Sequence, residues 1–238
     1  MSEFEKSRWA DREFSQNYRD EADIYLPFRH QFIALAKSLY GHFTDADITA
    51  GVLDLGCGDG CFMEEFLNTF APARVTLIDG SAEMLEAAKN RLIKHPHINF
   101  IRASFQDLLA GRGLNDSFTF IFSSLAIHHL PFQVKTQLYG YIYNHLSPNG
   151  FFALYDVVVP PSGKIEEWYL SLWKQWIKEH SAKDMRARLL GIPEQYKGNP
   201  DNMPDTLGSQ MDALKKIGFK EVDCYCKHGI FSLFGGFK

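Results

Sequence analysis

Cysteine is scarce in this chain, and its placement supports no framework. The four thiols, Cys57, Cys61, Cys224 and Cys226, make no paired C-x-x-C set, which excludes a zinc ribbon or a disulfide scaffold as the organising device. Cys224 and Cys226 are two apart on an expected strand, so they should share a face and not bond each other. All four read as reduced, and the expected location is cytoplasmic. No apolar run approaches the ~18 residues of a membrane span. The charged opening Met1–Lys6 has no apolar stretch, so no secretory leader is expected. No basic patch stands out against a formal net charge of −4, which argues against a polyanionic duplex as partner. No His, Cys, Asp or Glu set has metal-ligand spacing, so no metal is expected. Internal repeats and low-complexity tracts are also missing.

What is present fits one globular α/β unit with extra cover. The 238 residues are 45% hydrophobic and 23% charged, enough to bury a large core without staples. The most informative segment is Val52-Leu53-Asp54-Leu55-Gly56-Cys57-Gly58-Asp59-Gly60. Strand-type residues run into a loop with glycine at every second position, and the apolar helix residues Phe62, Met63, Phe66 and Leu67 follow. Glycines there permit positive φ and leave no Cβ to block a ligand. The following helix N-terminus offers unpaired N–H groups. A second strand, Arg74–Ile78, ends in Asp79-Gly80-Ser81. An acid at that tip can accept both hydroxyls of a ribose. The dinucleotide fingerprint G-x-G-x-x-G, however, needs a third glycine where this chain has Cys61. Asp54 inside the motif suits a cationic ammonium and suits a pyrophosphate poorly. An NAD(P)-dependent oxidoreductase is therefore the weaker alternative.

Asp54-Leu-Gly-Cys-Gly-Asp-Gly60 followed by Ile78-Asp-Gly-Ser-Ala-Glu-Met-Leu85 resembles the class I S-adenosylmethionine (SAM)-dependent methyltransferases, over about Val52 to Asp156 and again in the C-terminal hairpin. The resemblance implies a doubly wound α/β fold. Its seven-stranded sheet is mostly parallel with an antiparallel last strand. It divides the chain into an N-terminal helical cap (1–50), a SAM-binding core (51–158), a helical lid (159–206) and a C-terminal helix and hairpin (207–238). It implies SAM as cofactor and a small-molecule methyl acceptor. Gly56 and Gly58 would approach the methionine part, with Cys57 between them and Asp54 near the ammonium. Asp79 would take the ribose, with Gly80 beside it. Met84 and Phe105 would pack near the adenine. Asp107, in Ser104-Phe105-Gln106-Asp107, would accept from the adenine amino group, with a cap on the short helix after it as the weaker alternative. Ser123 and Ser124 would present backbone groups to the ammonium. In the N-terminal segment, Tyr25 and Arg29 would fold over the cofactor, Arg29 holding its carboxylate.

Just beyond the strand-four tip stand His128 and His129. Either could deprotonate an acceptor, since histidine titrates near neutrality. The S-x-L-x-x-H-H arrangement Ser123–His129 is similar to that of the small-molecule branch and lacks the Asn/Asp-Pro-Pro-aromatic motif of base-methylating members. Tyr169, Trp173 and Trp176 fall on one helical face of the lid and could line an acceptor pocket. The layout is also similar to that of carboxy-SAM synthases, and a SAM-binding protein without methyl transfer is a further alternative.

Overall fold

The computed structural model describes residues 12–44, 51–112, 114 and 116–238. Of the expected N-terminal helical cap (1–50), residues 1–11 and 45–50 fall outside that range. A single sheet runs in the order β3-β2-β1-β4-β5-β7-β6. Its strands are β1 (Gly51–Leu55), β2 (Arg74–Asp79), β3 (Ile98–Arg102), β4 (Phe118–Ser124), β5 (Leu146–Val157), β6 (Lys220–His228) and β7 (Phe231–Phe237). Only β7 runs antiparallel to the rest, as expected. Reversal between β1 and β4 puts a crevice at the carboxyl ends of these two strands, where doubly wound sheets bind ligands.

Helices cover both faces. On one side lie α1 (Arg12–Tyr25), α2 (Arg29–Phe43), α3 (Cys61–Leu67) and α4 (Ala82–Arg91); on the other lie α5 (Phe105–Leu109), α6 (Phe132–His145) and α10 (Leu207–Ile217). The strand residues divide by the two-residue period. Val52, Phe120 and Phe122 pack with α2 and α3, while Leu53, Leu55 and Ile121 pack toward α6. Burial on both faces explains why these strands read as continuous apolar runs.

Between β5 and α10 come α7 (Gly163–His180), α8 (Lys183–Leu189) and α9 (Ile192–Gly198). They lie against α1 through its exit. The last carbonyls of a helix have no partner within it. Here the indole N–H of Trp173 donates to Tyr25 O at 2.6 Å, and that of Trp176 donates to Ile24 O at 3.1 Å. The two tryptophans thus cap α1 from another element. Phe28 begins α2 with φ 55°, its ring held between Trp176 and His228.

Three local expectations are corrected: that Gly41 ends the helix begun at Arg29, that Ser147-Pro148-Asn149-Gly150 is a turn ahead of a fifth strand starting at Phe151, and that Cys224 and Cys226 share a strand face. Gly41 does not end its helix, which continues to Phe43. A Cβ at Gly41 would lie 2.9 Å from the ring of Phe70, so this glycine serves close packing. The turn Ser147–Gly150 lies inside β5, because Leu146 already pairs with Phe118 before the excursion and Phe151 resumes the ladder against Phe120. Asn149, at φ 61°, makes that bend. In β6 the register shifts between Cys224 and Cys226, so a bulge at Tyr225 breaks the simple alternation expected of the two thiols.

Candidate functional site

The loop after β1 is shaped by its glycines. Gly56, Gly58 and Gly60 have φ of 70°, 55° and 77°, a region costly for residues with a Cβ. The amides of Gly56 and Cys57 both donate to Ile78 O, at 2.8 and 3.0 Å, which pins the loop across the end of β2. A Cβ at Gly56 would sit 2.5 Å from that of Ala126 and 3.3 Å from the Phe105 ring. At Gly58 it would meet nothing within 4 Å. Gly56 is therefore filled by the protein, whereas Gly58 faces open space. Gly58→Ala is expected to cost the unliganded fold only about 1–2 kcal/mol of backbone strain while weakening a ligand in that cradle at least ~10-fold. Denaturant titration beside calorimetry reads both; an unchanged affinity would show that the space is not a ligand's.

Three carboxylates converge here. Asp79 Oδ2 accepts from Gly58 N at 2.9 Å and Oδ1 from Ser81 N at 2.8 Å. Burial raises its pKa, and the two backbone bonds partly offset the rise. Asp54 is 1% exposed, and neither of its oxygens has a hydrogen-bond partner among the described residues. Burial pushes this carboxyl well above the usual carboxylate range, with Asp79 and Asp59 adding to the effect. Asp59 was not singled out in the sequence, since nothing local tells which way its side chain turns. It is buried and ion-paired with Arg91 of α4, which also bonds Glu64 at 2.8 Å. Burial also pushes the Cys57 thiol far up, so this residue is packing beside the loop and no nucleophile.

The other expected cofactor residues surround this loop unevenly. Met84 is buried, with its amide capped by Ser81 Oγ at 3.3 Å. Gly80 O accepts from Arg102. Ser104 and Asp107 form a reciprocal capping box on α5: Asp107 N donates to Ser104 Oγ at 3.1 Å and Ser104 N to Asp107 Oδ2 at 3.1 Å. Asp107 thus has a structural task, and its Oδ1 bonds Arg112. Ser124 is half-buried at the end of β4, while Ser123 Oγ ties β4 to β1 by donating to Leu55 O at 2.7 Å. Arg29 is nearly buried and pairs with Asp23 at 2.6 Å. Tyr18, Cys61 and Asp23 raise its pKa further against desolvation.

Beside this loop, over the tips of β4 and β5, lies a cavity of about 310 Å³. Its wall takes Tyr18 and Tyr25 from α1, Trp173 from α7, Tyr196 from α9, and His128 and His129 from the short helical turn after β4. None of the glycine-loop residues lines it, so cofactor motif and cavity are neighbouring places. Tyr169 and Trp176, expected on the same face, are elsewhere. Tyr169 packs under Lys227, and Trp176 on Phe28 and His180.

His128 is held by Asp156, at the end of β5. Asp156 Oδ2 accepts from His128 N at 2.9 Å, and Oδ1 lies 2.6 Å from His128 Nδ1 and accepts from Val157 N at 2.9 Å. An ionised carboxylate only accepts, so Nδ1 carries a proton, and in the neutral ring it is Nε2 that holds the lone pair. His129 Nδ1 lies 3.1 Å from Asp201 O. The segment between α9 and α10 fixes this turn. Met203 N donates to His128 O at 2.9 Å, and buried Lys135 of α6 bonds both Met203 O and Asp205. Asp156, Tyr196 and Lys135 were not assigned from sequence. The one available signal was positional: Asp156 ends β5 as Asp79 ends β2.

Among the described residues, no group of three His, Cys, Asp or Glu could hold a metal, and no helix is long and apolar enough to cross a membrane. Residues 52–150 match a family model described as "Methyltransferase domain". A malonyl-[acyl-carrier protein] O-methyltransferase of Halalkalibacterium halodurans is 24% identical over 152 residues, covering 64% of this chain and 50% of that protein. This chain thus spans about half of that relative's length. A carboxy-S-adenosyl-L-methionine synthase of Nautilia profundicola is 23% identical over 98% of this chain and 96% of its own. Among solved structures, magnesium protoporphyrin IX methyltransferase from Synechocystis PCC 6803 with bound SAH superposes with a TM-score of 0.64 at 12% identity, covering 97% and 96% of the two chains.

Proposed function

The chain carries a class I SAM-dependent methyltransferase domain, and from that premise we propose that it transfers a methyl group from SAM to a small acceptor held in the cavity over β4 and β5. The observation that carries this reading is the buried, unpartnered carboxylate of Asp54 beside the open space at Gly58. A buried charge without a partner is costly, and a cationic ammonium laid on the glycine loop would relieve it. The residues fit the cofactor in other respects. Asp79 retains lone pairs for the two ribose hydroxyls, and the Phe105 ring already borders Gly56. We assign Met84 to the adenine side, Asp107 Oδ1 to the adenine amino group, and Arg29 to the N-terminal cover.

When bound, SAM would supply an electrophilic methyl group on a sulfonium, with a neutral thioether as its leaving group. Little charge has to be created on the donor, so the protein's task is positioning and the exclusion of water. The helices α1, α7, α8 and α9 cover the strand tips and serve both. We assign the general-base role to His128, whose Nε2 would take a proton from an acceptor hydroxyl while Asp156 stabilises the imidazolium; His129 lines the same cavity.

Calorimetry with SAM and S-adenosylhomocysteine is the direct test. Binding of micromolar order or tighter is expected. Asp79→Ala should weaken it ~10-fold or more, since a hydrogen bond to a charged group contributes ~1.5–3 kcal/mol. Absence of binding at millimolar ligand would remove the proposal. The near full-length likeness to a protein named carboxy-S-adenosyl-L-methionine synthase favours one second reading, in which the same site modifies SAM itself. Mass spectrometry of the ligand that copurifies with the protein from cells, where a carboxyl donor can be met, separates the two: SAM or S-adenosylhomocysteine supports methyl transfer, and SAM heavier by a carboxyl group supports the second reading.

A further inference from the structure

The cavity is aromatic and, apart from His128, His129 and a single ion pair, uncharged. Among its described lining residues the cation besides histidine is Arg188 of α8, and both of its terminal nitrogens are already bonded to the two oxygens of Glu21 on α1. Such fork-to-fork pairs are the strong form of this contact. Among the described lining residues no uncommitted cation is left to receive an acidic substrate. A buried anion, Asp156, stands close behind His128, so a second carboxylate entering here would be desolvated without a counter-charge.

Two polar groups stand together in the wall. His128 Nε2 has an open lone pair, as argued above. Tyr196 is the second: its hydroxyl is buried and has no hydrogen-bond partner among the described residues. The two rings stand 6.1 Å apart at 61°, and burial, then Asp156, pushes the Tyr196 hydroxyl far up, so it stays protonated. A buried phenol without a partner is a donor waiting for an oxygen. Resting on the methyl-transfer reading, we propose that the acceptor is a flat, uncharged molecule with two neighbouring oxygens. One is a hydroxyl that gives its proton to His128 Nε2 and becomes the methylated oxygen; the other accepts from Tyr196. The balance closes: the O–H proton ends on His128, an O–CH₃ bond forms, and the S–CH₃ bond breaks with its electron pair left on sulfur. Tyr18, Tyr25, Trp173 and Phe231 supply faces for the flat body.

Calorimetry with 2,3-dihydroxynaphthalene, 2-naphthol and 2-naphthoate, each with and without S-adenosylhomocysteine, tests this. The three share a ring system. The diol adds one neighbouring oxygen and the naphthoate a negative charge. The diol should bind ~5–10-fold tighter than the naphthol, as one net hydrogen bond predicts, and the naphthoate at least ~10-fold weaker than the diol. In Tyr196→Phe the diol-to-naphthol ratio should fall to about 1 with S-adenosylhomocysteine affinity unchanged. Naphthoate binding as tightly as the diol, a ratio indifferent to Tyr196, or no binding of any probe to a protein that still binds S-adenosylhomocysteine would each overturn the acceptor assignment alone. Intact diol binding with no S-adenosylhomocysteine binding would instead remove the methyl-transfer reading and leave the cavity's preference standing.

Discussion

Replacing Asp54 by Asn is expected to raise the melting temperature of the unliganded protein while weakening SAM ~10–100-fold. The carboxyl sits on β1 between Leu77 of β2 and Phe122 of β4, with no hydrogen-bond partner in the described protein. Its folded-state pKa is raised well above its ordinary value, first by burial. A carboxyl whose pKa is raised on folding destabilises the fold wherever it is ionised in the unfolded chain. The penalty is absent well below the ordinary value, grows as pH rises from there to the raised folded value, and is constant above it. The Asn variant should therefore gain most at neutral pH and lose its advantage as pH falls toward 4. Removing an uncompensated buried charge is worth about 2 kcal/mol, or roughly 5 °C for a chain of this size. The ligand's loss has the same origin, since one charge-assisted contact is worth ~1.5–3 kcal/mol. The ammonium needs the carboxylate form, so binding to the wild type should also release protons in the range where Asp54 is protonated in the free protein. Thermal melts at several pH values, and calorimetry in buffers of different ionisation enthalpy, read these effects. A variant that melts lower than wild type at neutral pH, yet binds SAM equally well, would show that Asp54 has a structural partner and no ligand.

The proposed cofactor half of the site was legible in the sequence because its geometry is local. Gly56, Gly58 and Asp79 belong to two strand-loop-helix units whose tips the parallel sheet sets side by side, and the bond from Gly58 N to Asp79 follows from that register. Local chemistry also competes with function, as at Ser104 and Asp107. The acid flagged for adenine satisfies the start of α5, and both readings are written in the same four residues. Gly41 shows a different limit. A glycine near an apolar run's end signals a helix stop, but the ring of Phe70 needed the space, and that contact joins segments far apart in the chain. The acceptor half was mostly illegible for the same reason. Asp156 meets His128 across 28 residues, Lys135 meets Met203 across 68, and Trp173 meets Tyr25 across 148. Periodicity placed Trp173 on a face but could not say that Tyr169 and Trp176, on the same stripe, would turn to Lys227 and Phe28. The contacts that α7 makes with α1, α2 and β6 decide that.

Asp156→Asn is expected to lower methyl transfer ~10²–10⁴-fold, the usual weight of a positioned base, with SAM affinity unaltered. The two carboxylate oxygens face three donors: His128 N at Oδ2, and His128 Nδ1 with Val157 N at Oδ1. An amide has one oxygen to offer. If its NH₂ replaces Oδ2, it confronts the backbone N–H of His128 and the turn must shift. If it replaces Oδ1, it opposes Nδ1–H, and the imidazole is driven to the tautomer that holds its proton on Nε2 and can take none from an acceptor. Both arrangements remove the base without touching Asp54, Asp79 or the glycine loop. His128→Asn should cost a similar factor, and the double variant little more than either single one, because the pair acts as a unit. Val157 N also loses its acceptor in one arrangement, so the Asp156 variant should melt lower as well; His128→Asn, which leaves the carboxylate in place for Val157, keeps the rate test apart from stability. Single-turnover rates with the diol probe, set against SAM affinities measured on the same preparations, give the answer. Additive losses in the double variant, or a rate in His128→Asn within a few-fold of wild type, would mean that the acceptor loses its proton elsewhere and that Asp156 serves only to hold the turn after β4.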